Sequence, residues 1–139
     1  MIKIKRISKK ECDEFGKERW NKLDVAHYGK KTEWKEKKFK FKAEENGKTL
    51  GVVSGKFESG IVYVGTIIID EKSRGKGIGK KLMGKVEEFT KKMGGHKIWL
   101  NTGCGWRACD FYEELGYEVE GKLPNHYFHK DFVIYSKYL

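Results

Sequence analysis

Two spacings of apolar residues organise this chain. Ile78, Leu82, Val86, Phe89 and Met93 fall on one stripe at helical spacing, with Lys81, Lys85, Glu88 and Lys92 away from it. This predicts an amphipathic helix that Gly94-Gly95 brings to an end. Ala108, Phe111 and Leu115 repeat the helical spacing on a shorter scale, with Gly116 as the stop. Elsewhere the period is two. Phe39-Lys40-Phe41-Lys42-Ala43 alternates as a strand does, and Glu45-Asn46-Gly47-Lys48 carries the Asn-Gly pair of a tight hairpin into Leu50-Gly51-Val52-Val53. After a turn at Ser59-Gly60, the run Ile61 to Ile69 is apolar on both faces, which suits a central strand. His96 to Asn101, Tyr117 to Val119 and Phe132 to Tyr135 are further strands, the last two joined by a long loop containing Pro124, His126 and His129.

The amino-terminal part is less regular. Ile2, Ile4 and Ile7 predict a first strand, followed by Ser8 as an N-cap and Glu11 at the capping-box position. The helix they open is expected to reach about Trp20. Asn21 to Lys31 has no clear period and reads as a loop, and Thr32 to Glu36 restarts a short helix.

Composition narrows the class. A chain of 139 residues with 38% hydrophobic and 14% aromatic content is one globular domain, taken as residues 1–139. No apolar run approaches the ~20 residues that cross a bilayer, and Met1 to Arg6 lacks the apolar core of a signal peptide. A cytoplasmic protein without a membrane partner is expected. Cys12, Cys104 and Cys109 are odd in number and lack C-x-x-C spacing, so neither a disulfide framework nor a zinc site is indicated. His126 and His129 have no third ligand, and no metal is expected. The net charge of +10 comes from lysines interleaved with glutamates, as in Lys30 to Lys38, which reads as a solvated face. Nucleic acid is therefore not the expected partner, although a basic nucleic-acid binder stands as the least favoured alternative.

The chemistry concentrates in Arg74-Gly75-Lys76-Gly77-Ile78-Gly79-Lys80, which follows the strand end Ile67-Ile68-Ile69 and opens the long helix. The first amides of a helix lack intrahelical partners and lie at its positive end, where phosphate binds. Glycines let the backbone approach a bulky anion, and Arg74, Lys76, Lys80 and Lys81 add positive charge. A P-loop is excluded because Lys81 follows Gly79-Lys80 and Arg74 stands where its first glycine belongs. A dinucleotide fingerprint is excluded because the third glycine of Gly75-Lys76-Gly77-Ile78-Gly79 comes one place early.

The remaining pattern, Arg74-x-x-Gly77-x-Gly79 at a strand-to-helix turn, resembles the acetyl-CoA signature of the GNAT family of N-acetyltransferases. Ala108 to Tyr117 is similar to that family's closing helix and the strand after it, and the order of elements from Ile61 to Val119 also agrees. The resemblance implies an α/β fold: a mixed, mostly antiparallel central sheet of six or seven strands flanked by about four helices. It implies acetyl-CoA as co-substrate, with its diphosphate at Arg74 to Lys80 and its pantetheine arm added along the backbone of Ile67, Ile68 and Ile69. It implies an enzyme that moves an acetyl group to a primary amine by direct attack in a ternary complex, with Tyr112 protonating the departing thiolate. The acceptor amine, on a small molecule or a protein, would be shaped by Trp20 to Trp34 and Lys122 to Asp131. Dimers are common in the family.

The chain departs from the family at the base. Ile61 and Asn101 stand where members carry a glutamate, and Gly105 replaces a pantetheine-contacting asparagine. Water-mediated deprotonation is the expected route, with Glu58, His27, His126 and His129 as assisting groups. A non-catalytic CoA or acyl-CoA-binding module is the alternative that these departures raise.

Overall fold

The protein is described by a computed structural model covering residues 1–139. The chain divides into two compact units, Met1–Trp34 and Lys35–Leu139.

In the first unit, residues 1–7 form no strand, contrary to the alternation of Ile2, Ile4 and Ile7. Alternation supplies a two-faced segment, but a strand also needs a neighbouring ladder, and these residues pair with none. Helix α1 runs from Lys9 to Tyr28, well past the expected end at Trp20. Its start is as expected, with the Ser8 hydroxyl accepting from the Glu11 amide at 3.1 Å. Its end is set by Gly29, whose left-handed backbone, φ 75°, returns an N–H to the Val25 carbonyl. Asn21 to Tyr28 lacks an amphipathic period but contains no Gly or Pro, so nothing halts the helix earlier. The short helix expected at Thr32 to Glu36 is also absent. There the Thr32 hydroxyl and the Trp34 indole N–H both donate to Asp24 Oδ2, each at 2.9 Å, which ties the chain back to α1.

The second unit holds one six-stranded sheet. Its strands are β1 (Lys37–Glu45), β2 (Lys48–Glu58), β3 (Ile61–Ile69), β4 (Lys97–Gly103), β5 (Glu118–Leu123) and β6 (Phe132–Tyr138). The spatial order is β1-β2-β3-β4-β6-β5, with only β3 and β4 parallel. That mixed, mostly antiparallel α/β sheet is the expected fold class. Helices α2 (Ile78–Lys92) and α3 (Arg107–Glu114) complete it, with 3-10 turns at Glu71–Ser73 and Tyr127–His129.

The predicted stripe of α2 faces the sheet. Ile78, Leu82, Met83 and Val86 pack with Phe39, Val53, Val62, Val64, Ile98 and Leu100 in one core that Tyr112 and Tyr117 join. Burial of these side chains at roughly 25 cal/mol per Å² supplies the main stabilisation of the unit. Lys137 on β6 fastens both helices, donating to Glu87 of α2 at 2.6 Å and to the Leu115 carbonyl behind α3 at 2.8 Å. No helix is long and apolar enough to cross a membrane.

The far edge of the sheet carries an acid-sensitive clasp. Glu120 accepts from Lys97 at 2.9 Å, from the Ser136 hydroxyl and from the Tyr138 hydroxyl at 2.7 Å. Lys97 first, then the two hydroxyls, pull its carboxyl from the ordinary 4.5 down to about 2. A carboxyl depressed in the folded state stabilises above its unfolded pKa, and the gain is lost as pH falls from about 4.5 towards 2. Thermal melts of wild type and Glu120→Gln are thus expected to differ at pH 7 and to converge as the pH approaches 2. A gap of constant size across that window would disprove the clasp.

Candidate functional site

The site begins where two strands part. β3 and β4 are in register only over Ile61–Tyr63 opposite Lys97–Trp99. Beyond that point β3 stays paired with β2 as far as Ile69, while β4 stays paired with β6 as far as Gly103. Gly65 is an extra residue in β3, since Ser54 faces Thr66 and Gly55 faces Val64. Such a bulge bends and twists its strand. At the fork, the rings of Tyr63 and Trp99 meet at a tilt of 40° with centroids 4.5 Å apart, and the Asn101 amide points at the Tyr63 hydroxyl at 3.5 Å. The backbone of β3 past Val64 therefore has no partner on its β4 side, and an extended chain can add there.

Over the gap lies a groove of about 770 Å³. Of the residues named from sequence, Ile67, Ile68, Ile69, Arg74, Gly75, Gly77, Ile78, Gly79, Lys80 and Tyr112 all line it. Lys76 does not; it lines a separate groove on the other flank of α2. The sequence reading missed Ser73, Arg107 and Phe111, which line the first groove as well. Phe111 lies on the apolar spacing of α3, and its ring reaches the turn. A Cβ on Gly79 would lie 3.0 Å from its ring, so a glycine there is what lets the two helices come this close.

The turn leaves backbone amides unpartnered. Asp70 and Glu71 carbonyls accept from the Ser73 and Arg74 amides at 2.9 and 3.4 Å, and Arg74 Nε reaches the Ile69 carbonyl at 3.4 Å. Gly75 and Gly77 have φ of 79° and 75°, the left-handed region that costs other residues roughly 1–2 kcal/mol. Lys81 is the residue whose amide closes the first helical bond, onto the Gly77 carbonyl at 3.1 Å. The amides of Ile78, Gly79 and Lys80 are thus left open, and no side chain caps them. Arg74 and Lys80 line the groove beside them, and open helix amides of this kind favour anions.

Tyr112 forms part of the groove wall. Its ring is buried and wedged between Phe111, Tyr117 and Tyr135, with centroids 5.1, 5.9 and 5.9 Å away. Burial, and then the neighbouring Cys109, push its phenol up to about 12. It stays protonated, and hence a donor, at any pH near neutral.

The profile of the acetyltransferase (GNAT) family matches residues 4–117. The chain belongs to that family. Among curated proteins it is similar to an uncharacterized N-acetyltransferase from Methanocaldococcus jannaschii, 29% identical over 136 residues, covering 83% of this chain and 60% of that protein. The chain therefore spans three-fifths of that relative's length. Among solved structures it is similar to an acetyltransferase from Bacillus cereus, with a TM-score of 0.75, 22% identity and coverage of 99% and 98% of the two chains. A candidate streptothricin acetyltransferase from Bacillus anthracis, in complex with acetyl coenzyme A, matches with a TM-score of 0.69 and 22% identity, over 73% of this chain and 62% of that one. These likenesses are of fold.

Within this GNAT chain none of the other candidate groups named from sequence is among the residues that line the groove. Glu58 ends β2 opposite Ile61, at the far end of β3 from Ile67–Ile69. His27 belongs to α1 and packs edge-on against Tyr28. His126 packs against Tyr127 and Phe132, and His129 Nδ1 meets Asn125 Oδ1 at 2.8 Å. Their loop holds Asn125, Phe128 and His129 at positive φ. Cys104 is exposed, whereas Cys109 donates weakly to the Gly103 carbonyl at 3.4 Å. Trp106 lies so close over Gly103 that a Cβ there would meet its ring at 2.1 Å.

Proposed function

We propose that this chain transfers the acetyl group of acetyl-CoA to a primary amine by direct attack within a ternary complex. The observation that carries this reading is the groove that joins the open β3 edge to the uncapped turn, with Tyr112 in its wall. When bound, the donor supplies an activated acetyl thioester. The open amides of Ile78, Gly79 and Lys80, with Arg74, hold its diphosphate. The backbone of Ile67, Ile68 and Ile69 orders its extended arm in the manner of an added strand. Pinning both parts fixes where the reacting carbonyl sits, and positioning of that kind is a large share of catalysis.

Tyr112 Oη donates to the departing sulfur. A phenol at about 12 is a weaker acid than an ordinary thiol, so the donor stabilises the growing charge and full transfer runs uphill. Glu114 is the carboxylate in the groove wall, which Arg107 also lines. Solvent water takes the proton from the attacking amine.

The test is a thermal-shift and thiol-release assay with acetyl-CoA across a panel of small amines, amino acids and peptide N-termini. Acetyl-CoA is expected to raise the melting temperature, and at least one amine to release free thiol. Stabilisation without thiol release from any acceptor would point to a non-catalytic acyl-CoA binder. Absence of stabilisation would remove the reading altogether.

A further inference from the structure

The gap between β3 and β4 has two sides. Val62, Val64, Ile98 and Leu100 pack in the core with the stripe of α2, so strand alternation turns Tyr63, Trp99 and Asn101 to the opposite face of the sheet. None of these three lines the groove that α2 and α3 border. Tyr63 and Trp99 form the last rung of the seam. Continued by two residues, the same register would set Asn101 level with Gly65, the bulged residue. Instead Asn101 stands on the free side of the gap, its strand paired there only with Ile134 of β6. Asn101 Nδ2 donates to Tyr63 Oη at 3.5 Å, and the tilted Trp99 ring, 4.5 Å from that of Tyr63, holds the phenol in place. This fixes which way the amide faces. Asn101 Oδ1 accepts no hydrogen bond within the protein and is not sealed from solvent, so a carbonyl acceptor stands open at the gap. On the same face, Lys56 lies opposite Tyr63 and is held by Glu36 at 2.7 Å, and Lys97 is held by Glu120 at 2.8 Å. Those carboxylates are engaged, and the amide is the acceptor left free.

An extended arm that runs back from the turn along Ile69, Ile68 and Ile67 covers about 10 Å of strand and leads to Thr66 and Gly65, level with Asn101. Tyr112 stands on one side of the sheet there, packed against Tyr135, and Asn101 on the other. We propose that Asn101 orients the acceptor amine: Oδ1 accepts one N–H, which leaves the nitrogen lone pair pointing across the gap at the thioester carbonyl carbon. The inference rests on the acetyl-transfer reading above. Tyr63 is a positioning residue that acts through the amide it holds. In the step itself the lone pair forms the C–N bond and the C–S bond breaks. The nitrogen's surplus proton passes to water, the sulfur leaves as the thiol with a proton from Tyr112, and water restores the phenol. An amide oxygen orients an amine but takes no proton from it, so the nucleophile arrives uncharged.

Steady-state kinetics with the panel amine that releases most thiol, set beside calorimetry with acetyl-CoA, test this. Asn101→Ala is expected to lower kcat/KM for the amine about thirtyfold and to leave the dissociation constant of acetyl-CoA within about twofold. Tyr63→Phe keeps the ring on Trp99 and is expected to cost about fivefold. In the Asn101→Ala background Tyr63→Phe is expected to cost nothing further, since it acts only through the amide. Asn101→Asp keeps an oxygen in the same place, with the Tyr63 hydroxyl now donating to it, and is expected to recover most of the loss. Unchanged kcat/KM in Asn101→Ala, or a loss confined to acetyl-CoA affinity, overturns the assignment. So do single-variant losses that multiply in the double variant, or an Asn101→Asp variant as slow as Asn101→Ala. A wild type that binds acetyl-CoA and acetylates no amine is a failure of the transfer reading itself, and the inference falls with it.

Discussion

Tyr112→Phe is expected to lower kcat about a hundredfold, in the range found when one donor to a developing anion is removed. The dissociation constant for acetyl-CoA is expected to stay within about twofold, because the loss falls on charge that appears only during reaction. The substitution deletes one oxygen and keeps the ring that packs against Tyr117 and Tyr135. Tyr112 Oη makes no hydrogen bond within the protein, so its removal orphans no partner and folding is preserved. Since burial holds the phenol at about 12, it does not titrate in the working range. The pH profile of Tyr112→Phe is therefore expected to keep the wild-type shape and to be displaced downward throughout. Steady-state kinetics read the result directly. Full turnover in the variant, or a change confined to KM, would remove Tyr112 from the chemistry.

Gly77→Val is expected to weaken acetyl-CoA binding about a hundredfold, which corresponds to about 2.7 kcal/mol. Gly77 caps α2 at φ 75°, ψ 13°, and a β-branched residue is disfavoured there. Relief of the strain moves the turn and misaligns the three open amides that follow it. Folding stability is expected to fall as well, by roughly 1–3 kcal/mol. Gly84→Ala supplies the control within the same helix, since its Cβ meets nothing within 4 Å and its φ is not left-handed. There Ala is expected to raise stability by up to about 1 kcal/mol and to leave binding unaltered. Calorimetry and thermal melts on both variants separate a cradle defect from a general loss of fold. Equal affinity of Gly77→Val and wild type would show that the turn does not hold the donor.

Much of this site was legible because its parts are local. The stripe of Ile78, Leu82 and Val86 marks the helix, the glycines mark its opening, and the apolar run Ile61–Ile69 marks an inner strand, although Ile68 is left exposed near its end. Each signal needs only neighbours in the chain. What escaped depends on partners elsewhere. Ile2, Ile4 and Ile7 alternate like a strand, but pairing decides whether one forms, and residues 1–7 have no ladder. The end of α1 lay hidden because Asn21 to Tyr28 carries helical propensity without an apolar face. The parting of β3 from β4 is a matter of register, which side-chain alternation does not encode once both faces are apolar. The separate groove that Lys76 lines was invisible for a related reason. Lys76 and Lys81 read as charge around the glycine turn, and only the fold brings Lys40 of β1 to the same groove.

The short seam between β3 and β4 has a mechanical meaning. Within the sheet, three residue pairs join two three-stranded blades, β1-β2-β3 and β4-β6-β5, which share the core beneath α2. A pantetheine arm lying along Ile67–Ile69 would supply rungs that the sheet lacks and suture the blades. In that arrangement the co-substrate is a transient structural member of the protein, and release of the product returns the sheet to its unlaced state.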